Sequence, residues 1–389
     1  MGAYILRRLL LIIPTLLGIM VINFVLIQQV PGGPVDQVLA QLEGEGDAFD
    51  RFSGGGSEAG GGGGDLERAG GTYQGARGLP ERFIEELEIT FNFARIVCDP
   101  GYEGEPDLDA EECRSERIPG IERFFLMMWD YLRFDFGQSF FHSESVVELV
   151  VQKMPVSITL GLWTTVIAYL VSIPLGIRKA VKDGTRFDTA TSGVIIVAYA
   201  IPGFLFAIML LVLFAGGRYL QWFPLRGLTS PADVWETLSW WQKIIDYFWH
   251  IALPVLASTI SAFATLTLLT KNSFLEEIKK QYVMTARAKG LTERRVLYGH
   301  VFRNAMLIVI AGFPAVFVSV FFGGSLIIET IFTLDGLGRL GFEAVVNRNY
   351  PVVFGTLFVF SLIGLVVGLL SDLMYIWIDP RIDFETRET

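Results

Sequence analysis

Two cysteines and three histidines among 389 residues leave little with which to build a metal or redox centre. His142, His250 and His300 are far apart, no H-E-x-x-H signature occurs, and no cysteine pair has ligand spacing, so no metal site is expected. A G-x-x-x-x-G-K-S/T phosphate loop is missing, which takes ATP hydrolysis away from this chain. A G-x-S-x-G nucleophile elbow is missing too, so no enzymatic site is expected. Lysine is wholly lacking between residues 31 and 150, and charge of either sign is lacking from six long apolar runs.

What the chain has instead is apolar surface. With 52% hydrophobic residues and a mean hydropathy of +0.47, it reads as a membrane protein. Leu9–Val30, Met154–Ile177, Thr189–Gly217, Ile251–Thr270, Ala305–Ile328 and Tyr350–Ser371 are each long enough to cross about 30 Å of hydrocarbon at ~1.5 Å per residue. Unpaired backbone groups are so costly in lipid that these segments are predicted as helices. Pro14, Pro174, Pro202, Pro254 and Pro314 fall inside them and are candidate kinks. The first span follows Arg7 and Arg8 and reads as an uncleaved anchor. Bases crowd the loops after the second span (Arg178, Lys179, Lys182, Arg186) and the fourth (Lys271 to Arg303), whereas the short loops after the third and fifth carry few. The positive-inside rule then predicts both termini in the cytoplasm.

Residues 31–150 carry 25 acidic groups against nine arginines, a net of −16, while the remainder of the chain is at +6. A translocated region this long crosses whatever its charge, so it is predicted to lie outside. Cys98 and Cys113 both fall in it. An oxidising compartment permits a disulfide between them, closing a loop of about 15 residues and contributing on the order of 3 kcal/mol. Within the region, the glycine-rich stretch 53–64 is expected to be flexible. Phe83, Ile84, Leu87 and Phe91 predict an amphipathic helix from Pro80, and Phe124, Phe125, Met128 and Leu132 a second over Ile121–Phe134 with those residues on one packed face. Asp99–Glu116 reads as a solvated acidic loop, with a strand or two in the region that the pattern does not place. The acids Glu103, Glu105, Asp107, Asp109, Glu111 and Glu112 would raise the local concentration of cationic partners, or simply keep the region soluble.

The sharpest local signal is QYVMTARAKGLTERRVLYGHVFRNAMLIVI, residues 281–310. Tyr282 to Lys289 suit a helix, Gly290 can take the positive φ that ends one, and Thr292 can cap the next. Eight bases between Lys271 and Arg303 would satisfy the positive-inside rule unaided. Ala286, Ala288, Gly290 and Leu291 among them, however, allow close packing into a partner's groove. Thr285-Ala286-Arg287-Ala288-Lys289-Gly290 resembles the signature by which membrane subunits of ABC importers dock on their ATPases. Further motifs resemble the dipeptide and oligopeptide class of those permeases. They are Pro31-Gly32-Gly33-Pro34 after the first span, Phe134-Asp135-Phe136-Gly137-Gln138-Ser139, Pro155 to Leu160, Gly323-Gly324-Ser325 through Phe332, Asp335-Gly336-Leu337-Gly338, and Asp379-Pro380-Arg381. The likeness covers residues 1–34 and roughly 121–384. It departs from the broad family where Met284, Thr285 and Ala286 stand in place of Glu-Ala-Ala.

The resemblance implies an all-α membrane protein of the type I importer permease fold, with six transmembrane helices and a periplasmic domain between the first two. Its parts would be a first helix (1–30), an acidic insertion (31–150), and a block of helices two to six (151–389) with a coupling loop at 271–304. The implied role is half the translocation pathway of a bacterial inner-membrane peptide importer, coupled through Met284, Thr285, Ala286, Arg287, Ala288, Lys289, Gly290, Leu291, Thr292 and Glu293. The implied partners are a homologous second permease, ABC ATPase subunits or a fused double ATPase holding ATP and Mg, a periplasmic peptide-binding protein, the peptide and membrane lipid, with no nucleic acid. Relatives of this branch carry nickel chelates or oligosaccharides, which are the alternative cargo. A secondary transporter or channel would need intramembrane ionisable residues or an inverted repeat, and the spans show neither clearly. A membrane-anchored receptor is the third reading. Glu329, at the outer end of the fifth span, either lines the pathway or pairs with Arg339 or a helix end. Asp372 reads as interfacial.

Overall fold

The computed structural model describes residues 2–29, 35, 38, 81–99, 102, 108, 110, 112–141, 144–217, 219–313 and 325–378. The glycine-rich stretch, Pro314, Gly323 and Gly324, the tail from Asp379, and all of the acid cluster except Glu112 lie outside them. Chain contacts form two compact units. One comprises Met1–Pro14, Gln152–Leu340 and Phe360–Thr389; the other comprises Thr15–Val151 and Gly341–Val359.

The second unit carries the insertion. Helix α1 is Gly2–Gln29, of which the part from Thr15 belongs here. Helix α2, Glu81–Thr90, turns Phe83, Ile84 and Leu87 onto a small core with Val35, Val38, Phe91, Phe93 and Phe140. Asn92 ends it at φ 57°, where the Phe93 and Asn92 amides donate back to the Glu88 and Ile89 carbonyls. Strands β1 (Ala94–Cys98) and β2 (Cys113–Arg117) then pair antiparallel, from Ala94 opposite Arg117 to Cys98 opposite Cys113. Cys98 and Cys113 are disulfide-bonded at the end of this ladder. The hairpin qualifies the all-α expectation. It also corrects the acidic-loop reading over 113–116, because CRSER has little strand character of its own and is held by its register against the more apolar ARIVC.

Helix α3, Gly120–Leu132, follows. Its packed face differs from the expected one. Met128 and Tyr131 are buried and Phe124 is half-buried, but Phe125 and Leu132 are exposed. The tertiary partners select the side with Tyr131, whose ring meets Phe136 and Phe358.

In the first unit, α4 (Val146–Val181) runs on from Gln152 and holds Pro155 and Pro174 within it. The predicted third span is not one helix. It is α5 (Arg186–Ala200) and α6 (Gly203–Phe214), bent by 92°. Proline disfavours helical geometry at the residue before it, and Ile201 is extended at φ −82°, ψ 118°, so the chain breaks before Pro202 rather than kinking at it. Helix α7 (Ala232–Thr237) precedes α8 (Trp240–Ile278), which holds the predicted fourth span. A 50° bend divides α8 into Trp240–Ile260 and Ala262–Ile278, beyond Pro254 rather than at it. There Ser258 and Thr259 return hydrogen bonds to the Pro254 and Val255 carbonyls, a pattern that bends helices.

The order continues with α9 (Gln281–Ala288), α10 (Glu293–Val296), a π-turn (Leu297–Val301), α11 (Phe302–Ala311), α12 (Ser325–Ile331), α13 (Leu337–Val346) and α14 (Tyr350–Ile378). Among the described residues three helices are long and apolar enough to cross a membrane, or up to five if each bent pair is one span. The middle of the predicted fifth span, from Pro314 to Gly324, lies outside them.

Candidate functional site

The predicted docking segment is built on a helix that stops abruptly. The Leu291 amide donates to the Ala286 carbonyl at 3.4 Å and the Gly290 amide to the Arg287 carbonyl at 2.9 Å, with Gly290 at φ +77°. Together these bonds make a Schellman motif, in which a residue without Cβ takes the left-handed position at no steric cost. Among the described residues a Cβ at Gly290 would meet nothing within 4 Å. The glycine is thus set by backbone shape rather than by crowding. Thr292 occupies the N-cap position of α10, but its side chain makes no capping bond. The Arg287 guanidinium closes the turn instead, with Nε 3.0 Å and Nη2 3.1 Å from the two Glu293 carboxylate oxygens.

Burial divides the segment into an anchoring side and an open side. Val283, Ala286, Val296, Val301 and Ala305 join a core with Ala168, Ile177 and Ala180 of α4 and Leu266 and Phe274 of α8, and Leu291 packs on it. Of the four small or apolar residues expected to serve a partner, Ala286 and Leu291 therefore serve this chain's own core. Met284, Thr285, Arg287, Ala288, Lys289, Gly290, Thr292 and Glu293 are exposed. Polar bonds brace the anchor. The Tyr282 hydroxyl donates to Glu277 at 3.0 Å and accepts from Asn304 at 3.2 Å, and Ser273 donates to the Ala305 carbonyl at 2.6 Å. Burial, chiefly, raises the Tyr282 pKa.

A buried ionic cluster escaped the reading of the sequence. Lys179, read only as a topology signal, is fully buried, with Nζ 2.9 Å from Asp188 Oδ1 and donating to Thr191 and Ser192, each at 2.8 Å. Lys271 meets Asp188 Oδ2 at 2.7 Å and Asp183 at 2.9 Å. The cluster thereby ties the end of α4, the start of α5 and the second half of α8. Two carboxylates alternating with bases at the edge of a span were the available signal.

Glu329 is fully buried in α12. Its carboxylate accepts from Ser157 at 2.9 Å and from the Arg339 amide at 2.8 Å, while the Ser157 hydroxyl accepts from the Leu337 amide at 2.9 Å. Both amides are orphan donors of the first turn of α13, so the acid group acts as a remote cap. Asp372 accepts from Tyr4 at 2.9 Å and pairs with Arg8 at 3.0 Å.

Residues 172–384 match the family of the binding-protein-dependent transport system inner membrane component. The chain belongs to that family. The matched stretch takes in the Gly290 turn, the Lys179 cluster and Glu329, and leaves out the insertion. A relative in Agrobacterium fabrum, the peptidoglycan transport system permease protein YejB, is 62% identical over 389 residues, covering 100% of both chains. The inner membrane ABC transporter permease protein YejB of Escherichia coli O157:H7 is 54% identical over 391 residues, again 100% of both. The oligopeptide transport system permease protein AppB of Bacillus subtilis is 29% identical over 385 residues, 99% of this chain and 100% of AppB. The chain is therefore a membrane component of a transport system, and the family is not itself the ATPase.

Proposed function

We propose that the chain is the permease subunit of an ATP-driven peptide importer and forms half of its translocation pathway. The observation that carries this reading is the helix–Schellman turn–helix of residues 281–296. One side of it is locked to α4 and α8, and the other side is open. A push on the exposed side by a nucleotide-dependent partner would be transmitted through Val283 and Ala286 into two long apolar helices. The work comes from a nucleotide affinity that differs between the two states. ATP and Mg belong to the partner ATPase, and the remaining partners are a second permease and a periplasmic peptide-binding protein.

Six spans would put the docking turn and both termini in the cytoplasm and the insertion in the periplasm, in keeping with the distribution of bases along the sequence. Peptides are the cargo class because relatives matched along the whole chain bear peptide and oligopeptide transport names. The name of the Agrobacterium relative favours peptides cut from peptidoglycan over nickel chelates or oligosaccharides. The test is uptake by the purified complex in proteoliposomes with ATP inside or outside. Uptake of cell-wall peptides only when ATP faces the docking turn is expected. Uptake without any nucleotide would overturn the importer, and uptake of chelates or sugars but not peptides would overturn the cargo.

A further inference from the structure

Helix α3 has three sectors. Phe124, Met128 and Tyr131 face the protein. Ile121, Phe125, Trp129 and Leu132, at helical spacing, form an outward row exposed to 75%, 65%, 57% and 59%. On the third side, Glu122 pairs with Arg95 of the hairpin at 2.8 Å, and the Arg123 guanidinium sits 4.3 Å from the Phe93 ring. The hairpin therefore lies along the polar flank.

The ends of two apolar helices fix where α3 runs. Near its start Phe124 meets Phe24 of α1 at 5.2 Å between ring centroids, five residues before α1 ends at Gln29. Near its finish the Tyr131 ring meets Phe358 at 5.9 Å, in the opening turns of α14. One short helix thus touches the last turns of one span and the first turns of another, a placement at a single boundary of the bilayer. In the same closing turns of α1, Ile22, Val25 and Leu26 are exposed as well. Arg133 stacks on Trp129 at 4.6 Å, an amphipathic pair suited to the headgroup level.

We propose that α3 is an in-plane interfacial helix whose row Ile121, Phe125, Trp129 and Leu132 is seated in the lipid at the boundary where α1 ends and α14 begins. An amphipathic helix of this kind binds through buried apolar area. The insertion is then held to the bilayer as well as to the spans. This goes beyond the transport reading and needs only that α1 and α14 cross the membrane.

The two cysteines of the sequence are bonded to each other, so one introduced cysteine gives this chain one addressable thiol, to be labelled before assembly with unlabelled partners. Nitroxides would be placed singly through Phe125→Cys, Trp129→Cys and Asp130→Cys, with Leu26→Cys as the reference in α1. The full complex would be held in phosphatidylethanolamine/phosphatidylglycerol nanodiscs. Collision with oxygen should exceed collision with a water-soluble nickel chelate at 125 and 129, as at 26, and the order should reverse at 130. Nickel excess at 125 and 129 means a face in water. Protection from both relaxants means a protein partner covers it. Either result overturns the proposal. Without any cysteine change, quenching of the native tryptophan emission by brominated lipid should fall in Trp129→Phe, and unchanged quenching would also overturn it.

Discussion

Two turns in the first unit use glycine for opposite reasons. At Gly290 no described residue comes within 4 Å of a Cβ, and the backbone demands glycine, at φ +77°. At Gly336 a Cβ would stand 2.3 Å from the Glu329 carboxyl carbon, so the demand is steric. At the open turn the Arg287–Glu293 pair fixes the shape, and among the described residues nothing stands where a Cβ of Gly290 would be. The closed turn is filled from within by Glu329, Ser157 and the amides of α13. Backbone shape sets the glycine at the first turn, and neighbouring side chains set it at the second.

The largest effect should come from the closed turn. Glu329→Ala strips the Arg339 amide of its acceptor and leaves Ser157 without its own, each buried polar group costing about 1–3 kcal/mol. The thermal midpoint of the detergent-solubilised complex should drop, and Glu329→Gln should recover part of the loss. A full loss of uptake in Glu329→Ala with an unchanged midpoint would instead favour a pathway role for this carboxyl group.

Next in size is the hairpin. Replacing Cys98 and Cys113 together with serine removes about 3 kcal/mol of constraint. Hydrogen exchange should quicken over 94–98 and 113–117, and protection of α4 and α8 should stay as it was. Faster exchange in those helices would show that the hairpin supports more than the insertion.

Gly336→Val should follow, at about 1–3 kcal/mol for overpacking. It should lower the midpoint as a smaller version of Glu329→Ala. An unchanged midpoint would mean that the closed turn yields easily, which would break the contrast.

The smallest change in stability should come from Gly290→Val, about 1–2 kcal/mol for a left-handed residue with a side chain. Assembly in the membrane should survive, but peptide uptake per ATP hydrolysed should fall sharply. Gly290→Asn, which tolerates φ > 0 far better, should restore much of it. If uptake by Gly290→Val matches the parent, the turn has no coupling role.

Much of this was legible in the sequence because the signals are local. Gly290 announces a positive φ by having no side chain, and the apolar runs of α1, α4 and α14 announce themselves by length. The helix over Glu81–Thr90 follows from the spacing of Phe83, Ile84 and Leu87. Other features needed partners distant in the chain. Whether Pro202 kinks a helix or breaks it depends on what receives each half. Lys179 looks like any base near a membrane until Asp188, Thr191 and Ser192 are folded over it.

Membrane character, the glycine-ended turn and the charge contrast between residues 31–150 and the rest were determined by the sequence alone, since each depends on residue type and near neighbours. Tertiary structure alone decided which side of α3 is covered, that Ala286 and Leu291 serve the core, and that Glu329 caps α13. Those outcomes rest on groups brought together from as far apart as Ser157 and Leu337, or Tyr131 and Phe358. Backbone direction and packing, rather than composition, determine such pairings.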